Sequence, residues 1–280
     1  MRNLIPLHTN PIDEFDLIHQ KKHDPAHIIL QGIRPLLVTR YNTYQNEFKK
    51  NTLQNIKPKP ISFFPDAAKH LRECYLKPTK ALNNLIVKIK EKQPNHLRSV
   101  CQYCGIDTDN TTDHYLPQSD FPEYSVNHLN LFPCCAVCNP IKNNYWFDGT
   151  NYHRGIINLY TDILPDVQFL FADVKIIKAN PIIKFNINNS NRINSNLYQV
   201  IENHFTRIKL LEKYNDKVGN IYQRIYNSYA NKPCFKNNPG LIQQDLLIEA
   251  ENHLKSFGRN HYEGILKEAL ANNKSFLNLF

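Results

Sequence analysis

The reading of this chain is decided by CQYCGIDTDNTTDHYLPQSDFPEYSVNHLNLFPCCAVCNPIK, residues 101–142. This stretch holds two C-x-x-C pairs, Cys101/Cys104 and Cys135/Cys138. A C-x-x-C turn aims two thiolates at one metal ion, and two such turns complete a tetrahedral four-cysteine zinc site. Four of the seven cysteines in the chain fall into this pattern; isolated buried thiols would rarely do so. Four thiolates leave no open coordination position, so the expected zinc is structural. It would supply folding energy to a segment too short to stand on its own core.

Between the two turns lie Asp113 and His114, with Pro117 three residues after the histidine. Asn130 stands five residues before Cys135, Asn139 follows Cys138, and Lys142 comes three positions later. A neutral imidazole accepts a proton from water near pH 7. A carboxylate beside it can hold Mg²⁺, a hard cation that takes oxygen ligands, and the amide oxygen of Asn139 offers a second such ligand. On this reading the zinc acts as a clasp that brings residues 113–114 next to residue 139.

The order C-x-x-C, D-H-x-x-P, N-L, C-x-x-C-N-x-x-K resembles the HNH endonucleases, the ββα-metal nucleases, in the variety that carries a four-cysteine zinc site. All elements are present: Cys101/Cys104, Asp113-His114-Tyr-Leu-Pro117, Asn130-Leu131 and Cys135-Ala-Val-Cys138-Asn139-Pro-Ile-Lys142. Asparagine at 139 matches the H-N-N variants. The resemblance covers about 45 of the 280 residues. It implies that His114 is the general base that activates water on the scissile phosphodiester. Asp113 and Asn139 would coordinate one catalytic Mg²⁺ or Mn²⁺, and Asn130 would orient His114. Lys142 would contact phosphate or stand as a solvated helix lysine, and Arg154 is a further phosphate-binding candidate. DNA is the implied substrate, cut to 5′-phosphate and 3′-hydroxyl ends. Two antiparallel strands at Thr111–Leu116 and near Asn130–Phe132 would lead into a helix over about Ala136–Tyr145.

Outside this stretch, residues 1–95 are divided by prolines into helical segments near His27–Phe48, Asp66–Leu76 and Thr79–Gln93. Leu82, Leu85, Ile86 and Ile89 form an amphipathic stripe in the last of these, and Thr79 is placed to cap it. Further on, Val167–Val174 and Ile182–Ile187 predict strands. A helical region follows over about Leu197–Tyr229, with shorter helices at Leu241–Phe257 and Tyr262–Ala271. The expected fold class is therefore α+β, mostly helical. A small ββα-metal zinc module at 96–150 would be flanked by a basic helical region at 1–95 and a mainly helical α+β region at 151–280. Cys134 lies outside the C-x-x-C spacing and reads as packing, as do Cys74 and Cys234. His128 reads as a loop histidine.

Composition limits the function classes. The chain has 280 residues and a net charge of +9. That charge points toward a polyanion, most often nucleic acid, and 41% apolar residues argue against wholesale disorder. The charge is unevenly placed. Residues 1–95 carry 16 basic and 8 acidic side chains, residues 96–150 carry 2 and 6, and residues 151–280 carry 16 and 11. Phosphate attraction must therefore come largely from the flanks, where Lys49, Lys50, Lys57, Lys59, Lys88, Lys90 and Lys92 are the candidates. No stretch approaches the ~20 apolar residues of a membrane span, and the N-terminus lacks a secretory pattern, so a cytoplasmic protein is expected. Two other classes fit part of the pattern: a non-catalytic zinc-knuckle nucleic-acid-binding protein and an RNA-directed nuclease. Stand-alone HNH proteins with long flanks belong to bacterial antiviral defence loci and mobile elements. By that analogy an ABC-like ATPase would be a partner, as for the nuclease subunit of Septu-type systems. One active site per chain means that cutting both strands requires a homo-oligomer or two successive nicks.

Overall fold

The computed structural model describes residues 1–59, 63, 66–149, 153–178 and 180–280, and of residue 153 the backbone alone. The fold is α+β and mostly helical. It divides into two compact units, Asn3–Ile163, and residues 1–2 with Leu164–Phe280. The stretches 1–95 and 96–150 thus share the first unit, and the boundary expected near residue 150 falls after Ile163.

The first unit begins with α1 (Pro11–His19), α2 (Ala26–Gly32), α3 (Arg34–Lys50), α4 (Ala67–Leu76) and α5 (Lys80–Glu91). Asn10 caps α1 and Thr79 caps α5, each through a side-chain oxygen that accepts a first-turn amide. α5 buries Leu82, Leu85 and Ile89, and its Lys90 reaches Asp109. Each such burial stabilises by about 1.5–3 kcal/mol. The expected helix over 27–48 is two helices, α2 and α3, joined at Ile33. Pro35 lies in the first turn of α3, where its missing amide proton costs nothing.

After these helices come β1 (Thr111–His114), β2 (Leu131–Cys134), α6 (Cys138–Lys142), β3 (Phe147–Asp148) and β4 (His153–Arg154). β1 pairs antiparallel with β2, with His114 opposite Leu131 and Asp113 opposite Phe132. α6 is shorter than expected because Asn143 leaves the helix with a positive φ of 48°. The helices α3 and α4 brace this ββα segment. Tyr44 of α3 donates to the Leu129 carbonyl at 3.1 Å, and Arg40 forms a buried ion pair with Glu123 at 2.6 Å. So short a segment has little apolar surface of its own, and the flanking helices supply its core.

The second unit pairs β5 (Leu170–Ile177) with β6 (Asn180–Ile187) in an antiparallel hairpin. The helices α7 (Ser195–Ile208), α8 (Leu210–Ala230), α9 (Pro239–Phe257), α10 (Tyr262–Ala271) and α11 (Lys274–Leu277) follow. The region expected as one helix over 197–229 breaks at Lys209, whose left-handed backbone (φ 57°) ends α7 and begins α8. Phe185, Tyr214 and Tyr262 meet in its core, the two tyrosines stacked at 4.7 Å. Among the described residues, no helix is long and apolar enough to cross a membrane.

Candidate metal centre and its hydrogen-bonded surroundings

Cys101, Cys104, Cys135 and Cys138 are all buried, and their four sulfurs lie within 4.8 Å of one another. Tetrahedral zinc with Zn–S bonds of about 2.3 Å requires sulfurs about 3.8 Å apart, so the cluster fits a zinc-like ion. The local backbone is shaped for it. Gly105, just after the first pair, sits at φ 70°, where a side chain would be strained. The Ile106 amide donates to Cys104 Sγ at 3.4 Å, and the Cys138 amide to Cys135 Sγ at 3.3 Å. N–H···S bonds of this kind lower the charge on sulfur when it is a thiolate.

Cys134 is buried outside this set. Its thiol meets the Thr111 hydroxyl at 3.3 Å, and burial pushes it up to about 12. It packs, as its spacing suggests. Cys74 is likewise buried, and Cys234 is exposed.

The clasp joins the loop before β1 to the start of α6, and this holds α6 against β1. Asn139 Nδ2 donates to the Thr112 carbonyl at 3.3 Å and to Thr111 Oγ1 at 3.3 Å. Its Oδ1 has no partner among the described residues.

His114 ends β1 with 6% of its surface exposed. Its Nε2 lies 2.8 Å from the Ser125 carbonyl oxygen. A carbonyl can only accept, so Nε2 carries the proton and Nδ1 keeps its lone pair. No described residue bonds Nδ1. Desolvation lowers the pKa of His114, and this exceeds the opposing effects of the Ser125 bond and the Asp113 charge. The ring is therefore neutral at pH 7 and basic at one defined nitrogen.

Asp113 points to the other face of β1 from its neighbour, as strand alternation requires. Its Oδ2 accepts from the Tyr103 hydroxyl at 2.8 Å and from Lys142 at 2.9 Å. Its Oδ1 has no partner among the described residues.

Lys142 departs from both readings of the sequence. It is 0% exposed. Its ammonium donates to Asp113 Oδ2, to the Tyr115 carbonyl at 3.2 Å and to the His114 carbonyl. A buried ammonium with its three protons bonded internally is neither a solvated helix lysine nor a phosphate contact. It is a brace between α6 and β1. Arg154 is also engaged within the protein: it donates to Asn51 Oδ1 at 2.8 Å and pairs with Asp162.

Asn130 is fully buried and its side chain forms four hydrogen bonds, none of them to the His114 ring. Oδ1 accepts from the Leu116 amide at 2.8 Å and from Tyr44 at 3.2 Å. Nδ2 donates to the Leu116 carbonyl at 3.0 Å and to the Tyr124 carbonyl at 3.2 Å. It thereby ties the segment just after His114 to the residue just before Ser125. That fixes the imidazole relative to the carbonyl that sets its tautomer. His128 is buried, donating to Thr9, and takes no part.

Two residues stand at the centre without having been marked by the motif. Tyr103 sits inside the first C-x-x-C pair and bonds Asp113, and that position was the available signal. Tyr75 comes from α4, 39 positions before His114, and nothing in the sequence announces it. Its ring lies edge-on to the His114 ring at 4.4 Å, and its hydroxyl donates to the Thr112 carbonyl at 2.8 Å. Since Asn139 donates to that same carbonyl, Tyr75 spans the space between His114 and Asn139.

No family model matches the chain, and no solved structure matches it. Protein ea31 of Escherichia phage lambda is 37% identical over 57 residues, which is 20% of this chain and 19% of the phage protein. The chain thus spans about a fifth of the length of that curated relative. The likeness is partial and leaves the family open.

Proposed function

We propose that this chain is a metal-dependent HNH endonuclease that hydrolyses phosphodiester bonds of DNA. The observation that carries this reading is the state of His114. Its Nε2 proton is committed to the Ser125 carbonyl, burial keeps the ring neutral, and Nδ1 is left as a base without a partner among the described residues. The buried His128 has the same bonding state through the Thr9 carbonyl; His114 differs in standing beside Asp113 and next to the strand-to-helix zinc clasp.

In the proposed reaction, His114 Nδ1 takes a proton from the attacking water. Asp113 Oδ1 and Asn139 Oδ1 are hard oxygen atoms suited to a Mg²⁺ or Mn²⁺ ion. Such an ion would supply Lewis-acid stabilisation of charge on the phosphate and leaving oxygen. Lys142 and Tyr103 hold Asp113 by its other oxygen, and the zinc clasp sets the distance from β1 to Asn139. Asn130 and Tyr75 keep the imidazole in place. The residues therefore divide into a base, two ligands and a rigid support for them.

The partial likeness to a phage protein suits a setting in a mobile element or a bacterial defence locus. An ABC-like ATPase partner belongs to that same reading, and affinity purification from the native host tests it. The activity is tested with zinc-loaded protein on plasmid DNA. Nicking should need added Mg²⁺ or Mn²⁺ and leave 5′-phosphate ends. Tight DNA binding with no cleavage at any metal concentration would support a non-catalytic zinc-knuckle protein instead. Preferential cleavage of RNA beside matched DNA would reassign the substrate.

A further inference from the structure

We propose that Arg72, on α4, grips a backbone phosphate of DNA beside the His114 site. The inference rests on the nuclease reading above and adds to it the source of the positive charge.

Phosphates that approach His114 need cationic donors. The segment around it is acidic, with 2 basic and 6 acidic side chains over residues 96–150. The two cations expected to meet phosphate are engaged elsewhere, Lys142 with Asp113 and Arg154 with Asp162. The first unit contains five arginines: Arg34, Arg40, Arg72, Arg98 and Arg154. Arg34 is forked onto Asp16, and Arg40 onto Glu123. Arg98 donates to the carbonyls of Gln93 and Glu91. Arg72 alone among them has no hydrogen bond or ion pair with any described residue.

Its place on the helix gives that freedom a direction. Arg72 and Tyr75 are three residues apart, so they neighbour one another on the surface of α4. Helical side chains lean toward the N-terminal turn, so the Tyr75 ring lies over the turn that carries Arg72. That ring is the one packed on His114 at 4.4 Å. Ala67, Ala68, Leu71 and Cys74 bury one side of α4, while Arg72, next to Tyr75, is half-buried. A guanidinium with no partner among the described residues offers five donors in a fixed fork, the geometry that matches a phosphodiester. The one acid of α4, Glu73, is taken up by Lys77 and His70 and does not compete.

The experiment measures binding of the full zinc-loaded chain to a fluorescent DNA duplex with Ca²⁺ in place of Mg²⁺, over a range of KCl. The chains compared are the unaltered protein, Arg72→Ala, Arg72→Lys and His114→Ala. One lost phosphate contact should lower the slope of log K against log salt by about 0.9 and weaken binding roughly fivefold to tenfold at low salt. Arg72→Lys should keep the slope and recover part of the affinity. In Mg²⁺ the Arg72→Ala chain should raise KM more than it lowers kcat. The two Arg72 variants should melt with the unaltered chain, since Arg72 has no hydrogen bond or ion pair with any described residue. Equal slopes and affinities for Arg72→Ala and the unaltered protein would overturn the proposal, even if cleavage is robust. Loss of cleavage in His114→Ala tests the nuclease reading separately. A chain that binds DNA through Arg72 but never cleaves it would sink that reading and keep the contact. A chain that binds no DNA at all would remove both.

Discussion

Lys142→Met is the substitution that most sharply separates a buried brace from a surface lysine. The change keeps the length and volume of the stem but removes the ammonium. Asp113 is then left 6% exposed with the Tyr103 hydroxyl as its remaining donor, and the carbonyls of His114 and Tyr115 lose theirs. Breaking a buried ion pair from one side costs about 3–5 kcal/mol, because a charge is stranded without compensation. With a urea m-value of about 2 kcal/mol/M for a unit of this size, the unfolding midpoint should fall by about 1.5–2.5 M. Trp146 is the single tryptophan, packed edge-on against Phe121 at 5.6 Å within the first unit, so its fluorescence reports that unit directly. Pairing Lys142→Met with Asp113→Asn should recover more than half of the loss, since no buried charge then remains. A midpoint lowered by less than about 0.3 M would be under 1 kcal/mol. Lys142 would then be a solvated lysine, and Asp113 would not be braced by it.

Three further outcomes follow from the same geometry. Cys135→Ser should reduce zinc from one ion per chain to none by elemental analysis and destabilise the first unit severely, as structural zinc contributes about 10 kcal/mol or more; Cys134→Ser should keep its zinc. Tyr75→Phe should cost about 1 kcal/mol through the lost bond to the Thr112 carbonyl and slow cleavage only a few-fold. Tyr75→Ala should slow it tenfold or more by freeing the His114 ring, read as kcat in steady-state assays. His128 is buried, with its pKa pushed down to about 4 by desolvation. The unfolded chain therefore binds the extra proton between pH 6.5 and 4, and stability rises with pH across that window. The contribution is complete above about pH 6.5, gone below about pH 4, and worth at most about 3 kcal/mol. Urea midpoints measured from pH 7 to pH 4 should fall less steeply in His128→Asn than in the unaltered chain.

Much of the helical framework was legible because its causes are local. Residues 262–271 form a helix as their pattern predicts, and Thr79 caps α5 through its own hydroxyl. The break at Lys209 was not legible: one left-handed residue leaves the apolar stripe of α7 and α8 nearly in phase, and lysine carries no glycine-like mark of a turn. The hairpin register of β5 and β6 begins three residues later than the apolar run suggests, because the Phe169 and Leu170 amides are both taken by Asn260 Oδ1, 90 or more positions away.

The four-cysteine cluster was legible because C-x-x-C spacing is itself a geometric statement. The surroundings of His114 were only half so. Asp113, Asn130 and Asn139 stand in the motif, yet what holds them does not. Tyr75, Tyr44 and Ser125 come from segments that tertiary folding alone brings to the centre. Lys142 shows the reverse case: the motif marked it as a phosphate contact or a solvated lysine, but burial gave it a partner inside the protein.

The most direct test compares the unaltered chain with His114→Ala in plasmid cleavage, both proteins carrying one zinc and folded at the assay temperature. With Mg²⁺ or Mn²⁺ the unaltered chain should convert supercoiled DNA to nicked or linear forms, and His114→Ala should lose at least a hundredfold in rate, the usual scale of a general base. Equal cleavage by the two proteins would contradict the assignment of His114 and, with it, the proposed chemistry.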